Sequence, residues 1–461
     1  MHHTKRTATL AVMLLTHIVS HSSLQAEAFQ AQTTAKKHSK IAMQMLVIEG
    51  PLANAQRTQD LHRLAKLVHF DLEFSDQLAV TLNASPVELE AKTLAALSKK
   101  GTDLCVYIKS LAAQPSLKAG HDAWSVEVVL KDATSSQDLF RKTFAMKADA
   151  SFVHQAHCIS DALFPVLTNE KGPHLSTLAY CKQLSPNKKV ICLADYACKT
   201  EKVVVNAPTI NVAPCWHSQA PVLFYSQFTR VNSRLMSFDI ASQSHRIIYS
   251  CDGLAMQPTF SPDGSKAILC LSGQGNSELH LYDHEVSKKA KKRVYTQITH
   301  NKGNNASPCY LPNGTIVFCS DFQTNAPQLY QLDMISNTVK RLTTGKGYCA
   351  APAYSAKNNA VVYTRYIKGV FQLCMLNLNE AHPKERQLTF NGGDKVESSW
   401  SACGRYVAFT FNTPYELGKK GKKRVNQIAA LNLSNGAIKV LTSGPCHKSF
   451  PAWTGQSVYA L

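Results

Sequence analysis

One phrase returns along most of the C-terminal part of the chain, and its period limits the fold more than any other feature. It is clearest as "QPTFSPDGSKAILC", residues 257–270: a short extended run, a turn, then a second run. Aligned on the aromatic that ends the first run, the copies fall at Trp216, Phe260, Tyr310, Tyr354, Trp400 and Trp453, with spacings of 44, 50, 44, 46 and 53 residues. Five of the six carry Pro two residues before the ring, and turn phrases such as "SPDG" (261–264) and "LPNG" (311–314) follow most of them. Asx-Gly pairs accept the positive φ that tight hairpins need.

The same order follows each turn. An apolar run comes first ("KAILCLS", "TIVFCSD", "AVVYTRY", "YVAFTFN"). A second ends in polar residues ("ELHLYD", "QLYQLD", "QLCMLNL", "QIAALNL"), and a short one closes the unit ("TQIT", "KRLT", "RQLT", "KVLT"). Four strands in about 45 residues, with no helical periodicity between them, predict a propeller blade. Neighbouring blades bury what a single blade cannot, and a ring leaves no end blade exposed. The sixth unit breaks off after "SVYAL", while "STLAYC", "KVICLADY" and "EKVVV" ahead of the first anchor have no unit of their own. The expectation is that the C-terminal strand joins these three in one mixed blade.

Residues 41–170 read differently. "IAMQMLVIEG" predicts a strand, and "AQRTQDLHRLAKLVHFD" has Leu61, Leu64, Leu67 and Val68 at helical spacing. "SPVELEAKTLAALSKK" predicts a helix with Ser85 as N-cap, Pro86 at its first position and Glu88 three residues after the cap. Strands follow at "TDLCVYIKS", "AWSVEVVLKD" and "QDLFRKTFAM", and a helix at "DASFVHQAHCISDALFPVL". The fold class expected is a two-domain α+β chain. A small N-terminal α/β domain (41–170) precedes a six-bladed β-propeller (171–461) closed by a mixed N-/C-terminal blade.

The first 28 residues combine Lys5 and Arg6, the apolar run "ATLAVMLLTHIV" and a small-residue "AEA", the pattern of an export signal peptide. The apolar run is too short to span a bilayer, which takes about 20 residues. The first cysteine is Cys105, so no lipid anchor is expected, and residues 29–40 read as a flexible tail. None of the 14 cysteines has CxxC spacing, and several sit in apolar strands, which predicts small buried thiols rather than zinc or redox sites.

Lys and Arg number 50 against 31 Asp and Glu, a formal net charge of +19. Two six-residue runs supply ten of those cations: "KKAKKR" (288–293) between a third and a fourth strand, and "KKGKKR" (419–424) between a second and a third. Those connections leave a blade at opposite ends, so the runs should not form one stripe, and neither interleaves aromatics as a nucleic-acid surface would. No nucleic-acid partner is expected.

Catalytic signatures are missing: there is no GxSxG, HExxH, GxxxxGK[ST] or GxGxxG. His154 and His157 stand three apart on a helix with no matching third ligand, and Asp161, one turn on, is the expected hydrogen-bond partner of His157. No catalytic residue, metal or cofactor is expected.

Several phrases together resemble the TolB family of periplasmic propellers of the bacterial Tol–Pal envelope system. They are "AHCISDALFPVLTNEKGP" (156–173), "NNASP" (304–308) and the six Pro-x-aromatic units with their "RLT"-type strands. "SACG" and "TGQS" in the late units, the cysteine count and the two basic runs depart from that pattern. The resemblance implies a non-enzymatic, monomeric scaffold of the periplasm. Its propeller would bind the peptidoglycan-associated lipoprotein Pal, and its N-terminal domain would connect to inner-membrane Tol components. The outcome would be outer-membrane integrity and constriction at cell division. The family's apolar-acidic N-terminal peptide engages TolA; here a polar, basic tail stands in its place. The alternative reading is a propeller that binds glycan or another small envelope ligand.

The loops that lead into the innermost strands should ring one mouth of such a propeller, and loops on a rigid scaffold are where binding is carried. They are "INVAP", "LAMQP", "NNASP", "GYCAAP", "DKVESS" and "CHKSFP", with isolated charges at Lys395, Glu397 and Lys448. The expected contact residues are Val212, Met256, Gln257, Asn305, Ala306, Ser307, Tyr348, Glu397 and His447.

Overall fold

The computed structural model describes residues 40–48, 55–83, 91–111, 124–146, 152–272, 275–380, 383–390, 392–416, 422–455 and 458. The expected signal peptide, nearly all of the tail, the Ser85-Pro86-Glu88 cap and most of "SVYAL" lie outside them. The chain divides into two compact units, Met1–Thr168 and Asn169–Leu461.

Among the described residues, the first unit is a five-stranded sheet with three helices. Its strands are β1 (Ile41–Ile48), β2 (Leu78–Asn83), β3 (Leu104–Leu111), β4 (Trp124–Asp132) and β5 (Asp138–Met146), in the order β2-β1-β3-β4-β5. β1 pairs in parallel with β2 and β3, and the remaining pairs are antiparallel. Helix α1 (Ala55–Phe74) turns Leu61, Leu64, Val68 and Leu72 onto the sheet, α2 spans Ala91–Lys99, and α3 (Phe152–Thr168) adds Ile159 and Leu163. Strand β2 has no counterpart in the sequence reading, although Leu78 and Val80 alternate with exposed Ala79 and Thr81; at six residues the pattern is short. His157 also differs from expectation. Its Nδ1 lies 2.8 Å from Asp71 Oδ2 on α1, and Ser160 Oγ donates to the same oxygen at 2.7 Å. All three are buried, so this is a cross-helix tie inside the core.

The second unit consists of short antiparallel strands. Four sheets have four consecutive strands each. The first runs β13 (Ala255–Phe260), β14 (Lys266–Ser272), β15 (Ser277–Asp283), β16 (Tyr295–Gln297). The second runs β17 (Asn305–Tyr310), β18 (Ile316–Ser320), β19 (Gln328–Leu332), β20 (Val339–Arg341). The third runs β21 (Cys349–Ser355), β22 (Ala360–Ile367), β23 (Val370–Asn377), β24 (Glu385–Gln387). The fourth runs β25 (Lys395–Trp400), β26 (Tyr406–Glu416), β27 (Lys422–Asn432), β28 (Ile438–Val440).

The eight remaining strands share one sheet. β9 (Ile210–Trp216), β10 (Val222–Phe228), β11 (Ser233–Asp239) and β12 (Ser244–Cys251) form one antiparallel meander. β6 (Thr177–Ser185), β7 (Lys188–Asp195) and β8 (Glu201–Val205) form another, and β29 (Lys448–Thr454) pairs with β6. The two halves meet at a single parallel pair, Lys189 with Ile210.

The six aromatic anchors all sit on first strands, and four of them hydrogen-bond the preceding meander. Trp400 Nε1 donates to the Ala353 carbonyl at 2.8 Å, and Trp216 Nε1 donates to the Ala452 carbonyl at 3.0 Å. The Tyr310 N–H donates to Thr259 Oγ1 and the Trp453 N–H to Ser399 Oγ, again on the residue just before the neighbouring anchor. The closing "LT" of each unit has an equally regular task. Thr299, Thr343, Thr389 and Thr442 each accept the N–H of Leu279, Leu329, Leu373 and Ile428. Each then donates to the Glu or Gln just before that residue: Glu278, Gln328, Gln372 and Gln427. One hydroxyl thus satisfies a buried donor and a buried acceptor together.

Candidate functional site

Each first strand carries an irregularity where its phrase has x-Pro. The ladder register shifts at 256/259, 306/309, 350/353, 396/399 and 449/452, and opposite β9 between Phe224 and Ser226. Ala213, Ser307, Ala351, Glu397 and Phe450 there have φ between 49° and 59°. A left-handed non-glycine costs about 1–2 kcal/mol, so the surroundings must hold it. In four of these five the next residue is Pro, which disfavours the right-handed helical region just before it and lacks the N–H that a bulge would leave unpaired. The bulge re-aims the residues before it toward the end of the strand.

In a meander, the loop leading into the first strand and the hairpin between the second and third leave at the same end. That lead-in face holds the expected contact residues. Ser307 and Tyr348 are exposed, while Met256, Ala306, Glu397 and His447 are half-buried. Gln257 lies on β13 at the bulge. Burial removes two from the set. Val212, 6% exposed, packs with Cys181 and Ala213. Asn305, fully buried, donates from Nδ2 to Glu278 Oε2 at 2.9 Å and to Asn301 Oδ1 at 3.0 Å, bracing its own loop.

Two expected mouth charges are also turned inward. Lys448 Nζ donates to the Ser443 carbonyl at 2.6 Å and to Gln427 Oε1 at 3.2 Å. Lys395 Nζ reaches the Gly392 carbonyl at 3.3 Å and lies 5.3 Å from the centre of the Phe411 ring. Both ammonium groups brace lead-in loops, and burial lowers both pKa values. Glu397 accepts the Thr410 hydroxyl at 2.6 Å and the Phe450 N–H at 2.8 Å, linking β25, β26 and β29. Burial raises its pKa against those two bonds.

The structure adds residues that the loop phrases did not single out. Tyr348 meets Phe371 edge-on at 5.4 Å, and Phe371 meets Tyr366 at 5.0 Å, giving a partly exposed aromatic group on the β22–β23 hairpin. The Phe371 N–H donates to Asp394, which ties that hairpin to the next lead-in loop. Beside it, β26 and β27 form the longest hairpin among the described residues of the unit, paired from Tyr406–Asn432 out to Glu416–Lys422, so Lys422, Lys423 and Arg424 lengthen a hairpin on this face. Such cross-strand partners come from separate stretches of sequence, which no single phrase displays.

Chemistry for catalysis is thin. Among the described residues no group of three His, Cys, Asp or Glu could hold a metal ion, and no helix is long and apolar enough to cross a membrane. A cavity of about 300 Å³ lies by the 311–314 turn at the opposite end of the strands; Lys340 and Glu380 line it, but no His, Cys or Ser does.

Residues 164–413 match the sequence model of the family described as TolB beta propeller domain. The chain belongs to the TolB β-propeller family. It is 27% identical over 248 residues to the Tol-Pal system protein TolB of Helicobacter pylori (strain ATCC 700392 / 26695), covering 52% of this chain and 57% of that one. The Francisella tularensis subsp. mediasiatica (strain FSC147) protein of the same name is 24% identical over 297 residues, covering 53% and 68%. The chain thus spans little more than half the length of the Helicobacter relative. The crystal structure of TolB from Acinetobacter baumannii is similar in fold, with a TM-score of 0.73 at 21% identity over 89% of this chain and 96% of that one. TolB-family membership accounts for the repeated Pro-x-aromatic phrase and for the smaller unit ahead of it.

Proposed function

We propose that the chain is a non-enzymatic scaffold of the Tol–Pal system in the periplasm, whose lead-in face binds the lipoprotein Pal. Its first unit would link that complex to inner-membrane Tol components and so support outer-membrane integrity and constriction at division. The supporting architecture is a ring of six blades, with β29, β6, β7 and β8 as the mixed one. The bond from Trp216 to Ala452 repeats the bond from Trp400 to Ala353, so β9 follows β29 as one blade follows another.

The observation that carries the reading is the set of bulged first strands. They hold Met256, Ala306, Ser307 and Glu397 on one face of a stiff sheet assembly, with Tyr348 in the loop beside them. Apolar, amide and hydroxyl groups with few free charges suit a protein surface, whose binding core is depleted in charge. A titration of the full chain with the peptidoglycan-binding domain of a Pal-type lipoprotein tests it. Saturable one-to-one binding is expected; no measurable affinity would overturn the scaffold reading.

A further inference from the structure

The chain carries two basic runs of nearly the same composition, and the fold treats them differently. "KKAKKR" belongs to α4 (His284–Lys289) and the turn after it, between β15 and β16. Asp283 caps that helix by accepting the N–H groups of Glu285 and Val286, and Arg293 donates to the carbonyls of Ile247 and Ile248. That connection lies at the end of the strands away from the lead-in face.

The last three residues of the other run, Lys422, Lys423 and Arg424, begin β27. Arg424 folds back onto Asn412, donating to its side-chain and main-chain oxygens, and Asn412 Nδ2 donates to Asn426 Oδ1 at 2.7 Å. Gly393 makes room for the guanidinium: at φ 85°, a Cβ there would stand 2.5 Å from it. Lys423 follows from the same hairpin and is exposed. Two residues after Arg424 and directly across the ladder from Asn412, the Asn426 N–H donates to His447 Nδ1 at 3.2 Å. The His447 carbonyl in turn accepts the Gln183 N–H at 2.9 Å, and Gln183 is the cross-strand partner of Lys189 on β7.

Three separate stretches thus bring Lys423, His447 and Lys189 to one place on the lead-in face. Among the described residues, no salt bridge joins any of the three. The carboxylates nearby have partners of their own: Glu201 holds Lys182 and Tyr180, while Glu397 accepts from Thr410 and Phe450 and also feels the Lys189 charge. Burial first, then Lys423 and Lys189, lowers the His447 pKa, as like charges held close together do. His447 Nδ1 accepts an N–H rather than carrying a proton, so the charge here is that of exposed Lys423 and of Lys189, which Glu397 offsets only in part; the remainder favours an anion from outside.

We propose that Lys423 and Lys189, brought together at His447, form a cationic cleft that captures an acidic segment of the protein docked on the lead-in face. An acidic protein segment fits better than a phosphate polymer because the cleft is short and the same face presents the Tyr348–Phe371–Tyr366 aromatics and half-buried apolar side chains, which call for mixed apolar and carboxylate contacts. The proposal rests on that face being the docking surface.

The test uses the full chain, the pair Lys189→Glu with Lys423→Glu, and a control pair, Lys288→Glu with Lys289→Glu, of equal net charge. Each is titrated with labelled poly-L-glutamate and with polyphosphate of matched charge. The first pair should weaken polyglutamate binding by roughly tenfold and the control by less than about twofold. Equal weakening by both pairs would overturn the proposal, since net charge alone would then explain it. Tighter binding of polyphosphate than polyglutamate by the parent chain would overturn the choice of ligand. A parallel titration with the Pal-type domain keeps the two readings apart. If that domain binds the parent and the first pair equally well, the scaffold stands and the cleft fails. If the domain binds nothing while polyglutamate follows the expected pattern, the scaffold fails and the anion site survives.

Discussion

The Trp216 indole N–H donates to the carbonyl of Ala452, 236 residues away, at 3.0 Å. Trp453 completes the seam by donating from its own indole to Ser176 Oγ at 2.7 Å, across 277 residues. These bonds join the two ends of the second unit, each closing more than 200 residues of chain. Trp216→Phe keeps a ring but leaves the Ala452 carbonyl unpaired, and should cost about 1 kcal/mol. Trp453→Ala removes a buried ring and should cost about 3–5 kcal/mol. Urea unfolding followed by circular dichroism would check both; a negligible loss for Trp453→Ala would contradict the seam.

The threonine clasps yield a prediction for the repeat itself. Thr343→Val keeps the shape just after β20 but leaves the buried Leu329 N–H without its acceptor, while the Gln328 side-chain oxygen keeps Arg341 Nη2. A buried donor left unpaired costs about 1–3 kcal/mol. Thr389→Val and Thr442→Val should lose similar amounts, because they make the same two bonds. Denaturation midpoints that differ widely among the three would mean that the clasps are not equivalent.

Tyr348 is 40% exposed and touches its own unit mainly through the Phe371 ring. Tyr348→Asp should therefore leave unfolding nearly unchanged while weakening lipoprotein binding by about tenfold or more, as truncated aromatic anchors do. Parent-like affinity in a titration would show that this loop is not part of the contact.

Glu397 supplies the pH dependence. Burial holds its folded-state pKa above the usual glutamate value. The folded chain therefore binds the proton more readily than the unfolded one, and the carboxyl destabilises once pH rises through the raised pKa. Gln in its place can still accept from Thr410 and Phe450 without the charge. Glu397→Gln should exceed the parent in stability at pH 7.5, and the gap should shrink as pH falls through the raised pKa toward the ordinary glutamate range. Urea midpoints at pH 7.5 and pH 4 would measure it; a gap that widens on acidification would refute the assignment.

Much of the strand pattern was legible because a hairpin is a local object. A turn phrase, an apolar run and its partner lie within about 20 residues, so "SPDG", "KAILCLS" and "ELHLYD" could be read as turn, second strand and third strand directly. The candidate site was legible only in part. Its loops could be named from the Pro-x-aromatic phrase, yet the same phrase did not tell Ser307, which is exposed, from Asn305, two residues earlier and fully buried. Lys395 and Lys448 read as mouth charges because nothing nearby in sequence reveals Phe411 or Gln427.

By itself, the sequence determined a repeated strand unit and the anchor each copy places on its first strand, since these follow from periodicity and turn chemistry over a few residues. The tertiary structure alone decided that His157 meets Asp71, that Trp216 meets Ala452, and that Lys423 and Lys189 converge on His447. Each of those depends on bringing together stretches tens to hundreds of residues apart. Their hydrogen bonds and burial are properties of how the sheets pack, and no local pattern encodes them.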